Sequence, residues 1–175
     1  MDESSKLALF EEMIMPHMNS AYNLARWLTR NESDARDVVQ EAYLRAFRFF
    51  DAFKGGDGRA WLLAIVRNAC ASWRRKGSNE SLGMAFDERM HAVDRQERNV
   101  ETDLVERSRL RSLEDCIEAL PPEYREAIVM RELEEMSYRE IAEATAAPIG
   151  TVMSRLSRAR ARLQDCVRAA AGGSR

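Results

Sequence analysis

A chain of 175 residues, 45% of them apolar, is long enough for one ordinary domain or two small ones with a core. Its 27 Lys and Arg stand against 29 Asp and Glu, a net charge of -2, so whole-chain basicity does not mark a nucleic-acid binder and only the distribution of charge can. Three scattered cysteines without a C-x-x-C pair, two histidines without ligand-spaced neighbours and no apolar run near the ~20 residues that span a bilayer argue against a disulfide framework, a metal site and membrane insertion, and for the cytoplasm.

Apolar residues recur at three and four rather than at two, and few glycines and prolines interrupt them, so the expected fold class is all-α. Helices are predicted over roughly 8–30, 34–52, 58–76, 108–119, 121–135, 137–145 and 149–168. Cys70, Cys116 and Cys166 are read as small core residues.

In DARDVVQEAYLRAFRFF a helical wheel gathers Ala35, Val38, Val39, Ala42, Ala46, Phe49 and Phe50 on a buried face. Asp37, Gln40, Glu41, Leu44 and Arg48 share the opposite one. A leucine among charges suggests a docking patch with an apolar centre and a polar rim, although single exposed leucines are ordinary. The loop FKGGDG follows, Phe53 to Gly58, its glycines open to unusual backbone angles. No G-K-[ST] comes after it, so a nucleotide-phosphate loop is not supported.

The next helix, RAWLLAIVRNACASWRRK, holds five basic residues and no acid. Leu62, Ile65, Val66, Ala69, Cys70 and Trp73 form its apolar arc. Arg67, Asn68, Arg74 and Arg75 occupy the rest with Ala64 and Ala71, and Trp61 stands at the edge. Basic side chains among alanines, with an aromatic alongside, suit a nucleic-acid strand whose bases can stack; a basic surface helix without a ligand is the plainer alternative.

Between Lys76 and Ser108 the periodicity fails over a stretch with eight acids and four arginines. It is expected to be a flexible acidic linker, 77–107, joining two small helical domains, 1–76 and 108–170. Downstream, CIEALPPEYREAIVMRELEEM gives a packing helix carrying Tyr124, Ile128, Val129 and Leu133. SYREIAEA then starts at Ser137 with Glu140 three residues on, a capping box, and a second helix enters at Pro148. Two helices joined by about three residues make a helix-turn-helix. The second, PIGTVMSRLSRARARL, turns Val152, Leu156, Ala159, Leu163, Cys166 and Val167 inward. Thr151, Ser154, Arg155, Ser157, Arg158, Ala161 and Arg162 face out, small hydroxyls permitting close approach to DNA and arginines reaching phosphate or guanine.

In combination and order, these segments resemble the extracytoplasmic-function sigma factors of the bacterial sigma-70 family over nearly the whole chain. DARDVVQEAYLRAF resembles the core-binding helix, GRAWLLAIVRNACASWRRK the promoter-melting helix, and LPPEYREAIVMRELEEMSYREIAEATAAPIGTVMSRLSRARARL the fourth conserved region. The resemblance implies a promoter-specificity subunit of RNA polymerase. Asp37, Gln40, Glu41, Leu44 and Arg48 would sit on the polymerase clamp helices. Arg67, Asn68, Arg74 and Arg75, with Lys54 to Asp57 and Trp61, would hold the opened minus-ten strand. Thr151, Ser154, Arg155, Ser157, Arg158 and Arg162 would read the minus-thirty-five duplex. The linker would thread toward the polymerase cleft, and the implied regulatory partner is an anti-sigma factor. Family turns often place a glycine before the proline, whereas this chain has Thr145-Ala146-Ala147-Pro148. AAAGGSR at the end carries no further domain, so signal sensing is expected of a separate protein.

Two other readings compete. A stand-alone helix-turn-helix regulator binding its operator as a dimer needs an apolar dimerisation seam and leaves the second basic helix unexplained. A nucleic-acid enzyme needs clustered acids or a nucleophile with its base, and neither pattern is present. No cofactor, catalytic residue or small-molecule substrate is expected.

Overall fold

The computed structural model describes residues 2–80 and 102–173, and among these every regular element is helical. The first unit holds α1 (Glu3–Met13), α2 (Met18–Thr29), α3 (Glu32–Phe49) and α4 (Gly58–Glu80). The second holds α5 (Thr102–Glu118), α6 (Pro122–Ile128), α7 (Tyr138–Thr145) and α8 (Ile149–Gly172). Helices α4 and α5 run into both ends of the stretch read as linker, whose residues 81–101 lie outside the described residues.

The single helix expected over 8–30 is two. Pro16 has no N–H and its ring crowds the carbonyl four residues back, so the chain passes through one 3-10 turn, Met15–His17, before α2 restarts. Helix α2 ends at Arg30 in the left-handed conformation, φ 58°, and the Asn31 side chain caps α3 by accepting from the Asp34 N–H at 3.0 Å.

Helices α2, α3 and α4 pack on one another around Leu24, Leu28, Val38, Leu62, Leu63 and Val66. Alanines at 35, 42 and 46 let the α3 backbone approach closely. Phe10 of α1 joins this core edge-on to Phe47 and Phe50, both at 5.3 Å between ring centres. Phe49, expected inside, is 56% exposed because the helix tightens to a 3-10 turn there and only Phe50 swings inward. Val39, Ile65 and Trp73 are half-buried, and Leu63 takes a fully buried place.

In the second unit, Ile128, Val129 and Met130 pack with Val152, Leu156 and Ala159 of α8. Helix α6 continues into one wide π-type turn, Val129–Leu133. That extra residue shifts the wheel by one position, so Leu133, expected in the core, is 48% exposed and Glu134 is buried in its stead. The capping box at Ser137 and Glu140 is present. Ala146 adopts the left-handed conformation, φ 51°, and the Ala147 N–H reaches back to the Ala142 carbonyl at 3.0 Å.

The cysteine reading needs correction. Cys116 of α5 and Cys166 of α8 form a disulfide; only Cys70 is a free, buried core thiol. Neither spacing nor composition distinguishes a pair fifty positions apart from two packed thiols.

Candidate polymerase and nucleic-acid interfaces

On α3, Asp37, Gln40, Glu41, Leu44 and Arg48 are all exposed, Leu44 at 60%. Arg45 donates to the Glu41 carboxylate at 2.7 Å, which holds that carboxyl below its ordinary value. Beside this face lies an apolar groove of about 720 Å³, lined by Gln40 and Leu44 and, across from them, by Leu7, Met15, Met18 and Tyr22. Leu44 is therefore one wall of an extended apolar surface. The signal for the rest was present in LALFEEMIMPHM, whose apolar residues outnumber what one buried stripe of α1 can use.

The loop before α4 turns on Gly55 and Gly56, at φ 85° and 100°, and leaves Lys54 exposed. The Asp57 carboxylate accepts from the N–H groups of Arg59 and Ala60 at 2.9 and 3.2 Å, capping α4. Gly58 must lack a side chain, since a Cβ there would lie 2.7 Å from the Met13 carbonyl oxygen. Trp61 is half-buried, its ring 5.0 Å from Phe53 and 6.3 Å from Phe50. Asn68 and Arg75 face solvent.

Arg59, Arg67 and Arg74 of α4 instead face acids of the second unit, while Lys76 is exposed. Arg67 donates through Nε to the Glu126 carboxylate at 2.7 Å, and Arg74 lies 3.9 Å from its other oxygen. Glu126 is only 4% exposed at its side chain. Arg59 donates to the Glu134 carbonyl and stands 3.6 Å from the Glu134 carboxylate. Burial pushes the Glu134 carboxyl above its ordinary value, opposed by a hydrogen bond from Ser20 and by the charge of Arg59. Helix α6, given no chemistry from sequence, thus sets the buried Glu126 against the basic arc, and Glu134 beyond the wide turn meets Arg59.

On α8, Ser154, Ser157, Arg158 and Arg162 are exposed, and Thr151 and Arg155 half-exposed. The Arg162 guanidinium lies 5.1 Å from the centre of the Tyr124 ring. Arg160 is tied to Glu132 at 2.6 Å. Among the described residues no cluster of three or more His, Cys, Asp or Glu could hold a metal ion, and no helix is long and apolar enough to cross a membrane.

Residues 13–80 match the sigma-70 region 2 family and residues 110–163 the sigma-70 region 4 family. The ECF RNA polymerase sigma-E factor of Haemophilus influenzae is 35% identical over 81% of this chain and 78% of its own length. The chain belongs to the extracytoplasmic-function (ECF) sigma factors. The ECF RNA polymerase sigma factor SigE of Mycolicibacterium smegmatis is 33% identical over 93% of this chain, which spans 63% of that relative's length. Among solved structures, the sigma factor RpoE of Bartonella quintana, in complex with the anti-sigma factor NepR, is 27% identical with a TM-score of 0.73, covering 91% of this chain and 96% of that one. CnrH, in complex with the cytosolic domain of CnrY, is 25% identical with a TM-score of 0.64, covering 91% and 88%. In this ECF sigma factor the region 2 match takes in α2, α3 and α4, and the region 4 match runs from Leu110 in α5 to Leu163 in α8.

Proposed function

We propose that this ECF sigma factor is a dissociable promoter-specificity subunit of RNA polymerase, with a core-binding and minus-ten domain over 1–76, a linker over 77–107 and a minus-thirty-five domain over 108–170. The exposed face of α3 and the groove beside it dock the polymerase clamp helices, Leu44 supplying the apolar centre and Asp37, Gln40, Glu41 and Arg48 the rim. Lys54, Arg67, Asn68, Arg74 and Arg75 contact the opened minus-ten strand, Asp57 and Trp61 holding the loop and the start of α4 in shape. Thr151, Ser154, Arg155, Ser157, Arg158 and Arg162 read the minus-thirty-five duplex from α8.

The observation that carries this reading is the division of basic surface between two helices in separate units. An operator-binding dimer uses one recognition helix and gives the basic residues of α4 no task beyond their ion pairs with the second unit. The chain supplies no catalytic residue and needs no cofactor; bond formation belongs to the polymerase. Its compartment is the cytoplasm, and an anti-sigma factor, the kind of partner in the Bartonella quintana complex, regulates it.

Leu44→Asp places a charge in the centre of the docking patch, at a side chain that is 60% exposed in the free protein. Gel filtration with core polymerase should show loss of co-elution with unchanged helical content. Co-elution equal to wild type would remove α3 from the docking surface.

A further inference from the structure

The disulfide has no part in the reading above, and its placement is informative. Helix α8 has its buried residues, Val152, Leu156 and Ala159, in its first half. Beyond Ala159 only Leu163 and Cys166 are half-buried. Helix α5 is likewise exposed at Leu104, Val105 and Leu110, and becomes buried only at Cys116 and Ile117. The bond thus joins the two helices where little other burial holds them. It closes a span of 50 residues that contains α6, α7 and the outward face of α8, with the cysteine Cα atoms 5.8 Å apart.

We propose that Cys116 and Cys166 are a reversible dithiol–disulfide site that exchanges with small-molecule thiols, and that its redox state sets how firmly the end of α8 is held to α5. Cys166, half-buried on a helix whose neighbours 164, 165 and 167 are exposed, is the sulfur an incoming thiolate can reach. Attack there breaks the Cys116–Cys166 bond and forms a mixed disulfide on Cys166, while Cys116 departs as thiolate and takes up a proton. A second small thiol then displaces Cys166. In sum, the protein disulfide and two thiols give the protein dithiol and one small-molecule disulfide, two electrons passing to the protein.

Two further observations fit a switch rather than a permanent staple. The first rests on the function proposed above, which puts the chain beside RNA polymerase in the reducing cytoplasm, where a protein disulfide is characteristically transient or redox-sensing. The third cysteine stays out of the exchange: Cys70 is 1% exposed in the first unit, and burial pushes its thiol up to about 12. The pair therefore responds as one two-electron couple in which Cys70 takes no part.

The test uses the full chain equilibrated in glutathione mixtures from fully oxidised to fully reduced, acid-quenched, denatured and alkylated for mass spectrometry. The expected result is one alkylated cysteine, Cys70, at the oxidising end and three at the reducing end, in a single transition. Hydrogen exchange at the two ends should be roughly tenfold faster across Leu163–Arg168 in the reduced protein. Cys166→Ser should exchange at the reduced rate whatever the mixture. Three alkylations in every mixture, or one in every mixture, would overturn the reversible site. Equal exchange in both states of the wild-type protein would overturn its hold on α8. These readouts involve no promoter or polymerase, so their failure leaves the sigma-factor reading untouched.

Discussion

Ala146 sits in a backbone conformation that costs an alanine about 1–2 kcal/mol and a glycine far less. The turn it makes still closes, because Ala147 bonds back to Ala142 and Pro148 starts the next helix. Ala146→Gly should therefore stabilise the second unit by about 1 kcal/mol, read as a higher midpoint in urea unfolding. An unchanged or lower midpoint would contradict the left-handed turn. Arg158, proposed to read the minus-thirty-five duplex, is exposed on α8 away from the buried Leu156. Arg158→Ala should weaken minus-thirty-five duplex binding by ~1–3 kcal/mol and leave polymerase affinity unchanged. Weaker polymerase binding in that variant would reassign the residue.

At the scale of elements, periodicity located α3, α4 and α8, the helices to which the proposal gives roles. The outward faces of α3 and α8 were legible because each has a buried stripe whose opposite side follows from helical geometry alone. The capping box was legible because both partners lie within four residues. Features set by the third dimension were not. Pro16 splits the first helix, and sequence offers several apolar residues on both sides that conceal the break. The wide turn after α6 uses ordinary residues, so nothing in VMREL warned that Leu133 and Glu134 would exchange places. The groove beside α3 is shared with α1 and α2, and only packing brings Leu7 and Met18 to Leu44. The acids that meet Arg59 and Arg67 lie 75 and 59 residues away in sequence, beyond any local pattern.

For the whole molecule, those pairings describe a closed arrangement in which α7 packs on α4 and the buried Glu126 carboxylate lies between two arginines assigned to the minus-ten strand. If Arg67 and Arg74 hold the minus-ten strand as proposed, the Glu126 carboxylate takes the place of a phosphate and the second unit leaves α4 before a strand binds. Glu126→Gln removes the charge but keeps the shape. It should favour opening by about 2 kcal/mol, roughly 30-fold in the ratio of open to closed forms. Fluorescence transfer between probes on the two units should fall, and binding of single-stranded minus-ten DNA should tighten. No change in either would mean that the ion pairs do not hold the units together.

The most direct measurement of the central claim is in vitro transcription from a genomic fragment library by purified core polymerase, with and without this protein. The account predicts new, discrete start sites that share two spaced upstream elements and vanish with Leu44→Asp. Unchanged transcription, with the protein binding DNA on its own, would contradict it.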